Sequence, residues 1–252
     1  MNDNNSTHTL IVKNVSHTYG DLQVLKNLSI NVKQGEFIVL VGPSGCGKTT
    51  LLNLLSGSLN PTQGNVEHKG LIRTVYQQDG LFPWLTVSEN IEMGLRGIND
   101  EKQKQAELDE LFNLIHLGGF KDNYPHELSG GMKQRVEIAR ALAGHSDILL
   151  MDEPFSALDY QTRLRMRREL IRLLVKRPRT VVFVTHDIEE AVQLADRVLV
   201  LSNRPAYICK ELVIDAQHPR DVTNPIVIEA MKTILDELGL HSHSNTDISN
   251  FE

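Results

Sequence analysis

The residues with the clearest chemical meaning form one short loop that could hold a phosphate group. The loop fits the spacing G-x-x-x-x-G-K-[ST] at every fixed position. Glycines allow such a loop to curl so that its backbone N–H groups point inward, and a following helix adds the positive end of its dipole. Lys48 would reach the β and γ phosphates, and the Thr49 hydroxyl could bind Mg²⁺. The candidate phosphate ligands are Gly42, Pro43, Ser44, Gly45, Cys46, Gly47, Lys48, Thr49 and Thr50.

A second set of candidate residues follows the apolar run from Ile148 to Met151. Asp152 could hold Mg²⁺ through water, and Glu153 could accept a hydrogen bond from an attacking water and so act as a general base. Two ordinary loop carboxylates are the alternative interpretation of this pair. The pair lies at the end of an apolar strand, in a chain that also has a phosphate loop, and this position favours the catalytic interpretation.

The elements that must position these side chains are predicted from the apolar patterns. Continuous β-branched runs predict strands buried on both faces over residues 37–41, 148–151 and 180–185. Because these strands alternate with helices, the pattern predicts an α/β fold with a parallel sheet covered on both faces. The helices predicted from periodicity cover residues 48–57, 101–116, 132–142, 160–176 and 188–195, and one further strand covers residues 197–201.

The outer parts of the chain show other patterns. Alternation of apolar and polar residues from Leu10 to Lys33 predicts antiparallel strands. Residues 98–145 lack long β-branched runs and show helical periodicity, which predicts a helical subdomain over about residues 85–145. We expect one domain over residues 10–240, with disordered polar ends at residues 1–9 and 241–252.

Composition and charge exclude several classes of protein. The 252 residues include 26 Lys and Arg against 32 Asp and Glu, so the formal net charge is −6. This balance argues against a protein whose main task is to neutralise a nucleic-acid backbone, and we expect no nucleic-acid partner. No apolar run approaches the ~18 residues that span a bilayer. The N-terminus lacks the basic and apolar regions of a secretion signal, so a cytosolic chain is expected.

The two cysteines, Cys46 and Cys209, provide neither a disulfide scaffold nor the spacing of metal ligands. Cys46 lies within the phosphate loop beside a helix N-terminus, a position that lowers the pKa of a thiol. We expect no catalytic role for it, but we expect its alkylation to block ATP binding and ATP to protect it. Cys209 is expected to be a buried packing residue.

The segment Leu128–Arg135, with the sequence LSGGMKQR, resembles the signature sequence of ATP-binding cassette (ABC) proteins. The resemblance covers about residues 10–240, and further motifs follow in the order typical of the family. It implies a P-loop NTPase core with a parallel sheet, an antiparallel β subdomain and a helical signature subdomain. It also implies that the chain hydrolyses ATP, with ATP and Mg²⁺ bound.

Four further site residues take their expected roles from this resemblance. Tyr19 matches the aromatic side chain that stacks on adenine, and Gln77 matches the glutamine that touches Mg²⁺ and the attacking water, with Gln78 as its rival. Asp159 lies in the loop that crosses a dimer interface, and His186 matches the histidine that contacts the γ phosphate. A plain strand aromatic and a structural histidine are the alternatives for Tyr19 and His186.

The signature segment also has a physical interpretation. Ser129, Gly130 and Gly131 precede a predicted helix, so they offer a second anion-binding helix N-terminus, with a simple Ser129 cap as the alternative. In the family, the two anion-binding ends of one chain do not clasp the same nucleotide. The resemblance therefore implies a head-to-tail dimer, formed by two copies or with a close paralogue. The phosphate loop of one subunit and the signature segment of the other would enclose one ATP.

The segment Leu81–Leu85 contains the only tryptophan of the chain and could be either core or a docking surface. In the family, this segment receives a short cytoplasmic helix of a transmembrane partner. A permease subunit is therefore expected to bind around Phe82–Trp84.

The resemblance extends to a subfamily. The segments PSGCG, LSGGMKQR and DEPFSALDYQTR look like those of the importer ATPases for nitrate, sulfonates, taurine or bicarbonate, although many relatives have Gly where Ser156 lies. It implies import of a small anionic solute delivered by a periplasmic or lipid-anchored binding protein. The chain would then lie peripherally at the cytoplasmic face of the inner membrane. An exporter or lipid-transport ATPase, and a soluble non-transport ABC protein, are the alternatives.

Overall fold

The computed structural model describes residues 8–76 and 80–240. The chain alternates strands and helices along most of this length, as expected of an α/β fold. In chain order, the strands and α-helices are β1 (His8–Tyr19), β2 (Leu22–Lys33), β3 (Phe37–Val41), α1 (Lys48–Leu55), β4 (Gln63–His68), β5 (Ile72–Val75), α2 (Val87–Glu92), α3 (Glu101–Ile115), α4 (Gly130–Leu142), β6 (Ile148–Asp152), α5 (Tyr160–Lys176), β7 (Thr180–Val184), α6 (Ile188–Leu194), β8 (Arg197–Leu201), β9 (Ile208–Val213) and α7 (Pro225–Glu237).

The strands form two sheets. The smaller sheet has the order β2-β1-β4 and is antiparallel throughout. The larger sheet has the order β5-β6-β7-β3-β8-β9, and its neighbouring strands pair in parallel from β5 to β8. The predicted fold class is therefore confirmed. The edge strand β9 pairs antiparallel with β8, which the apolar pattern did not indicate.

The central strands carry continuous apolar runs because both faces of the larger sheet are covered. Every residue of β3, β6 and β7 is buried. Along β3, Val39 packs into the core that the helices α2 to α7 cover, whereas Leu40 packs into the core shared with α1 and the smaller sheet. Alternate residues of one strand thus stabilise two separate cores.

The helical insertion is present as three α-helices, α2 to α4, which lie between β5 and β6 along the chain. Helix α3 ends at His116, which adopts a left-handed conformation at the C-cap. Helix α4 begins at Gly130, two residues before the predicted start at Met132. The prediction placed Gly130 and Gly131 before the helix, whereas the structure places them in its first turn, because Ser129 is the residue that caps it.

The N-terminal boundary also differs from the prediction. The polar residues His8 and Thr9 belong to β1, although disorder was expected through residue 9. They are held because His8 pairs with Lys33 and the Thr9 carbonyl accepts from the Lys69 amide. Residues 1–7 and the predicted disordered tail, 241–252, lie outside the described residues. Among the residues that are described, no helix has both the length and the apolar character needed to cross a bilayer.

Helices α5 and α6 are joined by a buried network of charges. The side chain of Arg167 is 4% exposed, and its guanidinium lies 2.8 Å from Asp187 Oδ2 and 2.9 Å from Glu190 Oε1. The second carboxylate oxygen of Glu190 accepts from the Thr185 hydroxyl at 2.7 Å, and Thr185 Oγ1 accepts from the Asp187 amide at 3.0 Å. The network therefore holds both residues that flank His186.

Replacement of Arg167 by Ala should lower the free energy of unfolding by about 2–3 kcal/mol, because Asp187 and Glu190 lose their shortest ion pairs and keep only the more distant Arg163 as a cationic partner. Urea denaturation measures this change. The control is Arg172→Ala on the same helix, whose ion pair with Glu169 is exposed; it should change stability by at most about 0.5 kcal/mol. Equal urea midpoints for the two variants would show that the network does not stabilise the fold.

Candidate functional site

The predicted phosphate loop connects β3 to α1, in the strand–loop–helix order that its chemistry requires. Gly47 is the N-cap of α1 and has no side chain with which to occupy the amides of the first turn. Its φ is 121°, and a Cβ at this position would lie 2.7 Å from Val24 Cγ1. Only glycine fits here, because both the backbone conformation and the close contact exclude a side chain. Ser44 and Gly45 are exposed at the turn, and Thr50 is half-buried in the helix.

The ammonium group of Lys48 folds back over this loop. Its Nζ donates to the carbonyl oxygens of Gly42 at 2.8 Å and Pro43 at 3.0 Å. The side chain is buried, and both of these partners are neutral. A positive charge is therefore fixed beside the open amides of the helix N-terminus, which suits a phosphate.

Asp152, at the end of β6, is brought next to the phosphate loop. The residue is 3% exposed. Burial raises the pKa of its carboxyl group, and the nearby Glu153 carboxylate raises it further. The hydrogen bond with the Thr49 side chain and the charge of the Lys48 ammonium act in the opposite direction. A carboxylate and a hydroxyl at one place are hard oxygen donors of the kind that Mg²⁺ prefers. Mg²⁺ commonly binds through one or two protein ligands together with substrate phosphates, so Asp152 and Thr49 fit this ion.

Glu153 and His186 meet because they follow neighbouring parallel strands, β6 and β7. His186 Nδ1 lies 3.1 Å from Glu153 Oε2. Glu153 has a φ of 47°, an uncommon conformation for a residue other than glycine. The conformation is held by the amide of Glu153, which donates to the Val184 carbonyl at 2.9 Å, and by its carbonyl, which accepts from Ser156 at 3.1 Å. Backbone strain of this kind is typical of functional sites.

The signature segment lies elsewhere in the chain. The Ser129 hydroxyl caps α4 by accepting from the Met132 amide at 3.3 Å. A Cβ at Gly131 would lie 2.9 Å from the Ala157 carbonyl, so glycine allows α4 to approach the loop after β6. Among the described residues, no hydrogen bond or ion pair joins residues 129–131 to residues 42–49. The structure thus does not bring the two predicted anion-binding segments together within one chain.

Gln134 is a site residue that the sequence analysis missed. Its side chain is buried, donates to the Glu153 carbonyl at 3.2 Å and to Ser156 Oγ at 3.3 Å, and accepts from the Ala157 amide at 2.9 Å. It therefore links the signature helix to the loop that carries Glu153. Ser156, which departs from the family pattern, supplies one of these contacts. A glutamine on the buried face of an amphipathic helix is the sequence signal that could have identified this link.

Asp159 and Tyr19 lie at exposed positions. Asp159 caps α5 by accepting from the Thr162 amide at 3.0 Å, and its hydrogen bonds to Thr162 hold the pKa of its carboxyl group below the usual value. Tyr19, at the end of β1, is 49% exposed. The His17 ring packs edge-on against it with centroids 4.7 Å apart, so the outer face of Tyr19 is available for stacking.

Cys46 does not have the environment that the sequence suggested. The residue is 2% exposed, and burial raises the pKa of its thiol, although Lys48 and the nearby backbone act in the opposite direction. The predicted lowering of this pKa by the helix N-terminus is wrong, because desolvation outweighs the effect of the dipole. A buried thiol with a raised pKa is a poor nucleophile, so the structure does not favour ready alkylation. Cys209, expected to be buried, is only partly buried.

Arg204 is a second residue that the motifs did not indicate. A Cβ built on Gly45 would lie 3.6 Å from its Nη2 atom, so its guanidinium is beside the phosphate loop. The loop that carries it is fixed to β2, since the Lys26 amide donates to the Ala206 carbonyl and the Ala206 amide donates to Val24. Arg204 adds a second positive charge next to the loop. Only tertiary structure shows this, because the two segments are far apart in the sequence.

The segment around Trp84 forms an exposed aromatic surface. Trp84 is 69% exposed, and its ring lies 5.5 Å from that of Phe82, which is partly buried beneath the Arg140 guanidinium. The loop is shaped by the fully buried Asn90, which donates to the carbonyls of Phe82 and Leu85 and accepts from the Phe82 amide at 2.9 Å. The structure therefore presents Trp84 on the surface and uses Leu81 for the core.

Gln77 and its rival Gln78 lie outside the described residues, so their predicted roles remain predictions. The other predicted catalytic and metal-binding residues lie at or beyond the C-terminal ends of β3, β6 and β7. These strands are neighbours in the larger sheet.

This arrangement agrees with the comparisons with known proteins. The ABC transporter family matches residues 25–156. The chain belongs to the ABC transporter family. The family resemblance of the signature segment is thereby confirmed, and the protein is an ABC ATPase.

Two curated relatives and one solved structure illustrate the similarity. The nitrate import ATP-binding protein NrtD of Synechocystis is 44% identical over 82% of this chain and 83% of its own length. The aliphatic sulfonates import ATP-binding protein SsuB of Bacillus subtilis is 41% identical over 85% of this chain and 86% of its own. The dimeric ABC transporter cassette MJ0796 is 34% identical, with a TM-score of 0.74 over 82% of this chain and all of the cassette.

Replacement of Lys48 by Ala should weaken ATP binding by about 10- to 100-fold, because charge-assisted hydrogen bonds to phosphate are lost. Isothermal titration calorimetry measures the affinity, and a thermal melt checks that the loop still folds. Lys210→Ala, an exposed lysine on β9, is the matched control and should bind ATP normally. Unchanged affinity in the Lys48 variant would rule out its contact with the phosphates.

Proposed function

We propose that this ABC ATPase is the ATP-hydrolysing subunit of a membrane importer for a small anionic solute, of the nitrate or sulfonate type. The observation that carries the hydrolytic part is the meeting of Lys48, Asp152, Glu153 and His186 at one edge of the sheet. The import part is supported by relatives that are named for the import of nitrate and of aliphatic sulfonates.

The proposed binding of ATP uses the phosphate loop and its surroundings. Backbone amides from Gly42 to Thr50 would surround the phosphates, and the Lys48 ammonium would move from its two carbonyl partners to the β and γ phosphates. Tyr19 would stack on the adenine. Thr49 and Asp152 would hold Mg²⁺, which neutralises phosphate charge when bound, and Gln77 would be a further ligand.

The proposed catalytic base is Glu153. Its carboxylate would accept the proton of the attacking water as the water oxygen bonds to the γ phosphorus, while the bond from this phosphorus to the β–γ bridging oxygen breaks and ADP leaves with that electron pair. His186 is held 3.1 Å from this carboxylate and would contact the γ phosphate, so it would orient the base and the phosphate together. Gln77 would position the same water. The strained backbone of Glu153 fixes the direction of its side chain before ATP binds.

The proposed active unit is a head-to-tail dimer with two ATP molecules, formed by two copies or by a close paralogue. It is supported by the separation of residues 129–131 from the phosphate loop within one chain and by the dimeric structures of the cassette MJ0796. Ser129, Gly130 and Gly131 of one subunit would cover the ATP held by the other. Asp159, exposed at the start of α5, would lie at the interface. ATP then favours the closed dimer, and hydrolysis favours the open one.

The proposed permease contact is the surface made by Phe82 and Trp84. An exposed tryptophan held in a fixed loop is typical of an interface anchor. The ATPase would be bound peripherally at the cytoplasmic face of the inner membrane, and a periplasmic or lipid-anchored solute-binding protein would act on it only through the permease. The alternatives, an exporter or lipid-transport ATPase and a soluble ABC protein, are favoured by no observation in the structure.

Replacement of Glu153 by Gln should lower ATP turnover by about 100-fold or more while ATP binding persists, because glutamine keeps the shape of the base but cannot take a proton. Phosphate release measures turnover, and size-exclusion chromatography with ATP and Mg²⁺ should show a trapped dimer. Glu101→Gln, an exposed change on α3, is the control and should hydrolyse ATP normally. Turnover near the parent rate in the Glu153 variant would disprove its assignment as the base.

Replacement of Trp84 by Ala should reduce co-purification of the integral membrane subunit from detergent-solubilised host membranes by about tenfold or more, because an interface anchor is lost. The ATPase activity of the isolated chain should stay unchanged. Tyr207→Ala removes another exposed aromatic side chain and is the control. Full recovery of the membrane subunit with the Trp84 variant would show that the permease binds elsewhere.

A further inference from the structure

A cavity of about 740 Å³ lies at the edge of the larger sheet opposite the phosphate loop. It is open to solvent on one side and is lined by the segments that precede β3, β5, β6 and β7 and by one face of α3. Five-residue strands with a rise of about 3.3 Å per residue separate this edge from the ATPase site by about 16 Å. The ionisable side chains that line the cavity are Lys69, Glu107, His145, Asp147, Arg177 and Arg179.

The two carboxylates of the cavity already have partners. Glu107 lies 3.0 Å from Arg177 and accepts from the Gly144 amide at 2.6 Å. Asp147 accepts from the Leu71 amide at 2.7 Å through one oxygen, and its other oxygen lies 3.3 Å from His145. Both oxygens of Asp147 therefore have neighbours within the wall, whereas Glu107 makes both of its contacts through Oε1.

Arg179 is in a different situation. It is 7% exposed, and its guanidinium donates to Ser146 Oγ at 3.1 Å and to the Gly144 carbonyl, both of which are neutral. It makes no ion pair within residues 8–76 and 80–240, and three of its five N–H donors have no hydrogen-bond partner there. Burial and the nearby positive charge of Arg73 lower the pKa of Arg179 to about 10, although the Glu107 carboxylate acts in the opposite direction.

The cavity wall therefore has an excess of positive charge. Arg73 does not line the cavity, but its guanidinium lies behind Gly144 of the wall and donates to the backbone carbonyls of Gly94, Arg140 and Ala143 rather than to a carboxylate. Lys69, at the exposed rim, has no ion pair among the residues that the structure describes. Buried charges in proteins are normally paired, so a cavity beside an unpaired guanidinium is suited to a negatively charged ligand.

We propose that this cavity binds a small free oxoanion, such as a sulfate, sulfonate, nitrate or phosphate group, through Arg179 and Lys69. The planar guanidinium offers parallel N–H donors that match two oxygens of an oxoanion, and Lys69 supplies a second charge. The Ser146 and Thr180 hydroxyls and the Gln103 amide line the same space and offer further hydrogen bonds. A ligand here touches both α3 and the sheet, so it joins the helical insertion to the core.

The test measures anion binding to protein whose phosphate loop is weakened as a competing anion site. In a Lys48→Ala background, thermal melts are recorded with sodium sulfate, sodium nitrate or sodium methanesulfonate against sodium chloride at equal ionic strength. A saturable rise in the melting temperature of about 3 °C is expected for at least one oxoanion. Adding Lys69→Ala should raise the apparent Kd about tenfold, and Arg179→Gln should abolish the saturable rise. Adding Lys210→Ala should change neither the apparent Kd nor the saturable rise in melting temperature.

Arg179→Gln could also disturb folding. Two further experiments therefore test the site: the Lys69→Ala variant, which changes the exposed rim, and a crystal of the parent protein grown with selenate. Selenate has the shape of sulfate, and its anomalous signal locates the ion. A peak beside Arg179 supports the proposal. The proposal fails if selenate is found only at the phosphate loop, or if the melting temperature rises equally in all the variants. Neither result depends on transport or on ATP hydrolysis, so the proposed function is tested separately.

Discussion

Parallel pairing of β3, β7 and β6 is the constraint on which the ATPase site depends. Val184 is the register partner of both Leu40 and Asp152, so the three strands end along one line. The phosphate loop, Glu153 and His186 continue from these ends and must therefore lie side by side. Parallel strands are stable only when both faces are covered, which explains why every residue of these strands is buried.

The site is also tied to the helical insertion, through Gln134. Its hydrogen bonds reach the backbone on either side of Ser156, in the same loop that carries Glu153. On the far side, the Arg167 network holds the residues next to His186. Glu153 and His186 are thus each held by side chains of neighbouring elements. These contacts connect α4 and α6 to the Glu153–His186 pair.

Much of the fold could be predicted because the buried strands leave a clear apolar pattern. The runs in β3, β6 and β7, the alternation in β1 and β2, and the charged helix α5 lie close to their predicted bounds. Strands β4 and β9 left no such pattern, since most of their residues are exposed or half-buried. Strand β5 was too short for a periodicity to appear. These three strands are fixed by pairing with distant segments, which single-sequence patterns do not contain.

The sequence by itself determined the phosphate loop, the acidic pair after β6, the signature segment and the family, because fixed residue types at short spacing carry that information. Tertiary structure alone decided which of these segments meet. It placed Thr49 beside Asp152 and Glu153 beside His186, brought Arg204 to the loop, joined Gln134 to the backbone of Glu153, and kept Ser129, Gly130 and Gly131 apart from the phosphate loop. It also overturned the expected lowering of the pKa of the Cys46 thiol. The surrounding elements bury this thiol, and burial raises its pKa by more than the helix N-terminus lowers it.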